Sequence, residues 1–470
     1  MDFSREFGIA PNIIEKDYML GWLLAGISQH AELSNNWIFK GGTCLKKCYS
    51  ETYRFSEDLD FTLTQPEHQN KDFLINIFKE IATWIYDATG IEVPREMIRF
   101  DINKNPGERI SVEGRIYYKG PLGFSGAPPR IKLDLTAKEA FVLDQVNREV
   151  HHPYSDKPEG GIHIQCYCLE EVFAEKIRAL AERLRPRDLY DVIHLYRRNI
   201  ASQDRKLIFS TLKKKCEFKE IPVPTMKILE SKPERAELVS EWENMLGHQV
   251  PVLPPFEQYW HELPEVFEWL YRAVEKIAPA AMPVMMQEID VSWHPPAMAQ
   301  AWHTTIPIEI LRYAASARLC INLTYKASER MIEPYSLRRT SEGNLLLYAV
   351  KHDTGELRSY RVDRIQNATV TQIPFQPKYS IELAGTGPLS ISRTAIRTGR
   401  TTRKRPQGIK SIVRRSKGYK PDYGLKYIFE CSYCGKRFSH KSYDAKLNNH
   451  KDKRGYPCPG RIGFYIDTKY

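Results

Sequence analysis

The 470-residue chain contains no run of about 18 consecutive apolar residues, which excludes an ordinary membrane-spanning helix. Its first residues, Met-Asp-Phe-Ser-Arg-Glu-Phe, lack the basic-then-apolar form of a secretory leader. Both absences point to a cytoplasmic protein without a membrane partner, whose nine cysteines are expected to be largely reduced. No internal repeat or heptad pattern runs through the chain, which excludes solenoids and coiled coils. One long stretch also lacks acidic residues. Residues 393–420 carry eleven Lys or Arg and no Asp or Glu, which equals the formal net charge of +11 and leaves the rest of the chain near neutral.

The apolar and charged fractions, 42% and 27%, are those of an ordinary folded protein. A chain of 470 residues exceeds what one core usually supports, so two or three domains are expected.

The most informative segment is 39–61. Gly41-Gly42-Thr43 reads as a turn leading into a short helix, and a strand-like run follows with Asp58 and Asp60 at alternate positions. Alternate strand side chains share a face, so the two carboxylates stand together and repel unless a divalent cation lies between them. Gly41 and Gly42 let backbone approach an anion, and the Thr43 hydroxyl can donate to a phosphate. Each motif alone is common on turns and solvated strands. Together they have the layout of a nucleotide-transferring site.

Two further segments extend the pattern. Residues 130–136 alternate, with Ile131, Leu133 and Leu135 facing a core and Lys132, Asp134 and Thr136 facing away, so Asp134 is a third carboxylate on a half-buried strand. Asp101 is the rival for that place. Residues 169–184 carry Val172, Phe173, Ile177, Leu180, Ala181 and Leu184 at helical spacing, with Lys176 at the edge of the stripe. A lysine there is usually snorkelling. Arg185-Pro-Arg-Asp188 breaks that helix and starts another, with Asp188 expected as its N-cap. For Asp191 a structural role near that helix start and a functional role both stay open.

In this order the motifs resemble the DNA polymerase β-like nucleotidyltransferases, and within them the AbiEii/AbiGii toxins of bacterial phage-defence and toxin–antitoxin systems. Glu15-Lys16-Asp17-Tyr18 and Arg54-Phe55-Ser56 add to the resemblance, which covers about residues 10–200. It implies that Asp58 and Asp60 bind magnesium and the nucleoside triphosphate, and that Asp134 holds the magnesium that activates the acceptor hydroxyl. It further implies triphosphate contacts from Gly41, Gly42, Thr43, Ser56 and Lys176, and a required Asp191. The implied acceptor is RNA, foremost a tRNA 3′ end, and the implied partner is an antitoxin encoded alongside.

Downstream, Cys431-Ser-Tyr-Cys434 is followed by His450 and Cys458, with fifteen and then seven residues between. That set supplies four ligands for a structural zinc, and its spacing favours His450 over His440. Neighbouring Lys and Arg make this ribbon basic, as expected of a nucleic-acid-contacting module. Arg403, Lys404, Arg405, Arg414 and Arg415 in the acid-free stretch are candidate polyanion contacts. Cys44, Cys48, Cys166, Cys168 and Cys320 read as packing residues. Strands are predicted at 320–325, 330–337, 344–351 and 356–362. The runs around Ile332, Tyr348 and Tyr360 resemble a WYL domain, a small Sm-like barrel, with Arg330, Tyr348, Arg361 and Arg364 towards a ligand.

The expected architecture is α+β. A polymerase β-like nucleotidyltransferase core at 1–200 has a helical extension at 201–300. A WYL-like β-barrel at 306–383, a basic flexible arm at 384–424 and a zinc-binding ribbon at 425–470 follow. Two other classes stay open: a WYL-type nucleic-acid-binding regulator without catalysis, and a transferase acting on a small molecule.

Overall fold

A computed structural model describes residues 2–49, 54–104, 110–123, 126, 128–137, 139–198, 204–272, 279–283, 289–290, 308–383, 426–431, 434, 436–440, 445–450, 457–459, 461 and 463–469. The basic segment 393–420, with Arg403, Lys404, Arg405, Arg414 and Arg415, lies outside these residues. Two compact units are present, residues 1–395 and 396–470.

The first unit is built on a seven-stranded mixed sheet. Its strands are β1 (Trp37–Lys40), β2 (Asp58–Leu63), β3 (Arg99–Lys104), β4 (Ile110–Tyr117), β5 (Arg130–Thr136), β6 (Val146–Glu149) and β7 (His163–Cys166). They stand in the order β3-β4-β5-β2-β1-β7-β6. Alternation decides which face each strand buries. Leu59 and Phe61 of β2 and Ile131, Leu133 and Leu135 of β5 are fully buried, which commits Asp58, Asp60 and Asp134 to the opposite face.

Helices cover the apolar face. The Pro11–Gln29 helix is apolar almost all round, and Met19, Leu20, Leu23, Leu24 and Ile27 are buried. It packs on the Lys71–Thr89 helix, which Asn70 opens by accepting from the Phe73 amide at 3.0 Å and Gly90 closes with φ +74°.

The Leu169–Arg183 helix matches its predicted span and packs on the helices Pro186–Arg197 and Arg205–Phe218. Arg185 occupies the N-cap of the Pro186–Arg197 helix, not Asp188. Pro186 supplies the first helical residue, so Asp188 falls inside the first turn and takes a fork from Arg183 at 2.7 and 2.9 Å.

A second sheet follows the Ile308–Ala317 helix. Its strands β8 (Leu319–Tyr325), β9 (Ser328–Arg339), β10 (Leu345–Lys351), β11 (Leu357–Arg361) and β12 (Ile365–Pro374) pair antiparallel in the order β11-β10-β9-β8-β12. Four strands fall where the alternation put them. The fifth, β12, was not foreseen, because its polar outer face (Gln366, Asn367, Thr369, Thr371) reads as loop.

The two sheets share one hydrophobic core, joined by the Ile308–Ala317 helix. Arg197 at the end of its helix bonds Glu262 at 2.8 Å and the Ala317 carbonyl at 3.1 Å, pinning the second sheet to the helical half. Tyr348 is wholly buried with the Arg338 guanidinium 5.2 Å from its ring centroid, so it faces the core and not a ligand. Arg361 forks onto Asp363 at 3.0 and 2.7 Å.

The second unit is a three-stranded sheet of β13 (Lys426–Cys431), β14 (Arg437–His440) and β15 (Gly463–Lys469), in the order β14-β13-β15. Among the described residues no helix is long and apolar enough to cross a membrane.

Candidate active site

Strand register draws a line of charge across the first sheet. Lys40 on β1 pairs with Asp60 on β2, Asp60 with Asp134 on β5, Asp134 with Glu113 on β4, and Glu113 with Asp101 on β3. Directly opposed residues share a face, so Asp60 and Asp134 are neighbours, with Asp58 one pleat away. Asp101 lies two strands beyond Asp134 and pairs with Arg115 at 3.2 Å, so Asp134 is the third carboxylate of this row.

The carboxylates are in tension. Burial pushes the Asp60 carboxyl up to about 6, with Lys40 opposing and Asp134 and Asp58 adding to the rise. Burial likewise raises Asp58, against Lys132 and Arg187. Asp134 instead accepts from Lys132 at 3.0 Å. The sets of ligand atoms that lie within 4.8 Å of one another among the described residues do not include the three aspartates. A cation entering between them has carboxylates on adjacent strands to gather.

The Gly41-Gly42-Thr43 segment forms a one-turn helix, Gly41–Cys44, that runs into a π-helical stretch, Leu45–Tyr49. Gly41 has φ +81°, and a Cβ there would stand 2.0 Å from Asp60 Oδ2. The first glycine therefore admits the Asp60 carboxylate itself. A Cβ on Gly42 would lie 2.8 Å from Arg54 Nη2 and 3.1 Å from Ser56 Oγ. Thr43 makes an internal contact. It is buried, and its hydroxyl donates to the Asp58 carbonyl at 2.5 Å, tying the turn to the start of β2.

Lys176 lines a cavity of about 180 Å³ together with Lys40, Gly41, Asp60 and Arg183. Its ammonium contacts Asp191 Oδ2 at 2.8 Å and Asp188 Oδ1 at 3.8 Å. Asp191 is 0% exposed and also takes the Arg54 fork at 2.8 and 3.0 Å. Burial opposes its charge, but Arg54 and Lys176 outweigh that and hold its carboxyl well below the usual range. Asp191 is thus buried and held between two cations, Lys176 and Arg54. Arg54 also donates to Gln249 Oε1 at 2.9 Å, and Phe55 N–H donates to the Gln249 carbonyl at 2.9 Å, so the helical half braces the segment before β2.

The sequence reading missed Lys40, Arg183 and the pair Glu139 and Glu175, all lining the same cavity. Lys40 bonds Glu139 and lies 3.9 Å from Glu175. Burial alone would lower its pKa, but the two glutamates hold it above the usual lysine value. Two of these were accessible from sequence. Arg183 is seven residues beyond Lys176 on one helix, hence on the same face, and Lys40 directly precedes Gly41.

In the C-terminal unit, Cys431, Cys434, His450 and Cys458 offer ligand atoms all within 4.8 Å of one another, so this set could hold a metal. His440 stands on β14, edge-on to Phe429 at 5.5 Å, and is not in the set. His450 Nδ1 lies 2.9 Å from the Asn448 carbonyl, which leaves Nε2 for a ligand and fixes the ring. A second set, Cys44, Cys48 and Cys166, also meets within 4.8 Å, although each read as a packing residue in the sequence.

Comparison with known proteins adds two family matches. The model for the nucleotidyl transferase AbiEii toxin of the type IV toxin–antitoxin system matches residues 22–272, and that for the WYL domain matches residues 308–370. No curated protein matches the chain. Among solved structures it is similar to MenT4, a nucleotidyltransferase toxin from Mycobacterium tuberculosis, at 18% identity and TM-score 0.39 over 57% of this chain and 85% of that one. It is also similar to JHP933 from Helicobacter pylori, at 17% identity and TM-score 0.36 over 57% of this chain and 94% of that one. The first family match spans more than half of the chain and contains every element of the charged row and its cavity, so this protein belongs to the AbiEii nucleotidyltransferase toxin family and carries a WYL domain behind the transferase.

Proposed function

We propose that this toxin transfers a nucleoside monophosphate from a nucleoside triphosphate to an RNA 3′ hydroxyl, foremost that of a tRNA, and releases pyrophosphate. One observation carries the reading: Asp58, Asp60 and Asp134 share one sheet face, and Asp60 and Lys176 line one cavity. In the reaction the acceptor oxygen bonds the α-phosphorus, the bond to the pyrophosphate oxygen breaks, and the hydroxyl proton leaves.

Magnesium suits this donor set. The carboxyls of Asp58 and Asp60 are raised by burial, so a hard divalent cation would relieve an anionic site that is costly by itself. Asp58, Asp60 and Asp134 would hold it, and it would supply charge neutralisation at the transferring phosphoryl group and a more acidic acceptor hydroxyl. The remaining work falls to the chain itself. Lys176, with Arg183 one face along, binds triphosphate oxygens as fixed cations. Ser56 and the Gly41-Gly42 backbone flank the same approach. Thr43 and Asp191 are positioning residues: one fixes the turn to β2, and the other aims Lys176 and Arg54. Asp134 stands opposite Asp60, where it can take the acceptor proton.

The C-terminal half serves the acceptor. Arg403, Lys404, Arg405, Arg414 and Arg415 neutralise RNA phosphates, and zinc held by Cys431, Cys434, His450 and Cys458 stiffens a basic ribbon beside them in sequence. Membership of a toxin–antitoxin family supports an antitoxin encoded alongside as the restraint, and action in the cytoplasm, in phage defence or growth arrest, belongs to the same proposal. The test incubates full-length protein with magnesium, each labelled nucleoside triphosphate in turn, and total RNA, tRNA alone or no nucleic acid. Label in tRNA supports the proposal. Label only in another RNA class corrects the acceptor, and RNA binding without label favours a non-catalytic regulator.

A further inference from the structure

Three cysteines meet directly behind the Gly41-Gly42-Thr43 turn. Cys44 closes the one-turn helix, Cys48 lies in the π-helical stretch that follows, and Cys166 ends β7 in register with Phe39 of β1. All three are 0% exposed, and their sulfurs lie within 4.8 Å of one another, the same limit met by the C-terminal Cys/His set. Thiolates around a tetrahedral ion with metal–sulfur bonds of about 2.3 Å stand roughly 3.8 Å apart, so the cluster is within about 1 Å of a coordinating geometry.

The surroundings favour a cation that displaces protons. The three sulfurs are enclosed together, away from solvent, so a cation entering among them finds soft donors and no competing water. The Tyr49 hydroxyl lies 3.9 Å from Cys166 Sγ and donates to the Tyr167 carbonyl at 2.6 Å, and the Arg148 guanidinium sits 4.6 Å from the Tyr49 ring centroid. An entering soft cation thus finds three buried sulfurs and, against the Tyr49 ring, the Arg148 guanidinium as a nearby positive charge to offset excess anion. The π-helical stretch fits this reading, since such geometry is rare and frequently marks function.

We propose that Cys44, Cys48 and Cys166 form a buried three-thiolate site for a thiophilic closed-shell cation, zinc(II) or copper(I), which pins residues 41–49 to β7. Binding forms three metal–sulfur bonds, releases the thiol protons to solvent and changes no oxidation state. The segment so fixed carries Gly41, against which Asp60 rests, at its other end. The site is independent of the substrate proposed above.

The experiment uses the full chain with Cys431→Ser and Cys434→Ser, so that the C-terminal set holds nothing, purified in reductant and stripped with chelator. Cadmium(II), zinc(II) and copper(I) are titrated separately, with metal content, the thiolate charge-transfer band and the melting temperature as readouts. One equivalent per chain, a thiolate band and a higher melting temperature are expected. Adding Cys166→Ala, or Cys48→Ser should the first not fold, abolishes all three while circular dichroism stays native. Competition between zinc(II) and copper(I) names the ion. No uptake by the folded parent variant, uptake that survives both substitutions, or a disulfide between two of the three cysteines overturns the proposal.

Discussion

Asp60 rests on the backbone of Gly41 with its carboxyl raised to about 6 by burial, Lys40 notwithstanding. Between the unfolded value of 3.8 and about 6 the folded protein holds a proton that the unfolded chain has lost, so stability falls as pH rises through that window. Asp60→Asn removes the charge and should raise metal-free stability above about pH 6 by roughly 1–2 kcal/mol after allowance for solvent screening, with no gain below about pH 4. Urea denaturation at both pH values checks this; equal effects would show that the charge is not the cause. Magnesium should stabilise wild type at neutral pH and leave Asp60→Asn unmoved.

Asp191→Asn should do the reverse. It leaves Arg54 without its buried ion-pair partner and Lys176 with only the more distant Asp188, and costs about 3–5 kcal/mol in the same assay. The sequence singled out Asp191, but not its contacts. Spacing cannot say that a carboxylate lies between two cations, nor that Thr43 turns its hydroxyl to the Asp58 carbonyl, because both depend on partners up to 137 residues away.

At the scale of elements, β2, β5 and the Leu169–Arg183 helix were readable because their apolar periods are clean and one face of each is buried. The row from Lys40 to Glu113 was not, since register between strands is set by the packing of the whole sheet. The same applies to the thiol cluster, whose members lie on a turn of helix and a strand 118 residues after the last of them in the turn. The junction between Gly41 and β2 is the element most open to test. Gly41→Ala puts a methyl where Asp60 Oδ2 stands and asks alanine to hold φ +81°. Transfer should fall by about a hundredfold or more, as expected when catalytic groups shift by about 1 Å, with a stability loss of only about 1–2 kcal/mol. Retained activity in a folded variant would show that the Asp60 carboxylate need not rest there.

Across the whole molecule, the order of transferase, WYL sheet and Cys/His ribbon was legible from motif order and charge, and two of the three parts have matching family descriptions. The continuous core joining the two sheets was not, because apolar spacing says that a helix is buried but not against what, and the Ile308–Ala317 helix finds its partners in elements distant in sequence. The eleven cations of 393–420 belong to the acceptor side of the proposal. Deleting 393–420 should flatten the dependence of log RNA affinity on log salt by roughly 0.7 for each phosphate no longer neutralised, as read by binding titrations across ionic strength. An unchanged slope would remove the arm from RNA binding.

The most direct measurement compares α-labelled with γ-labelled nucleoside triphosphate in the magnesium reaction with tRNA, for wild type and for Asp58→Ala and Asp60→Ala. Transfer at the charged row requires the α-label to enter RNA, the γ-label to leave as pyrophosphate, and both variants to be silent while still folded. The γ-label entering the acceptor, or an active Asp60→Ala protein, would contradict it.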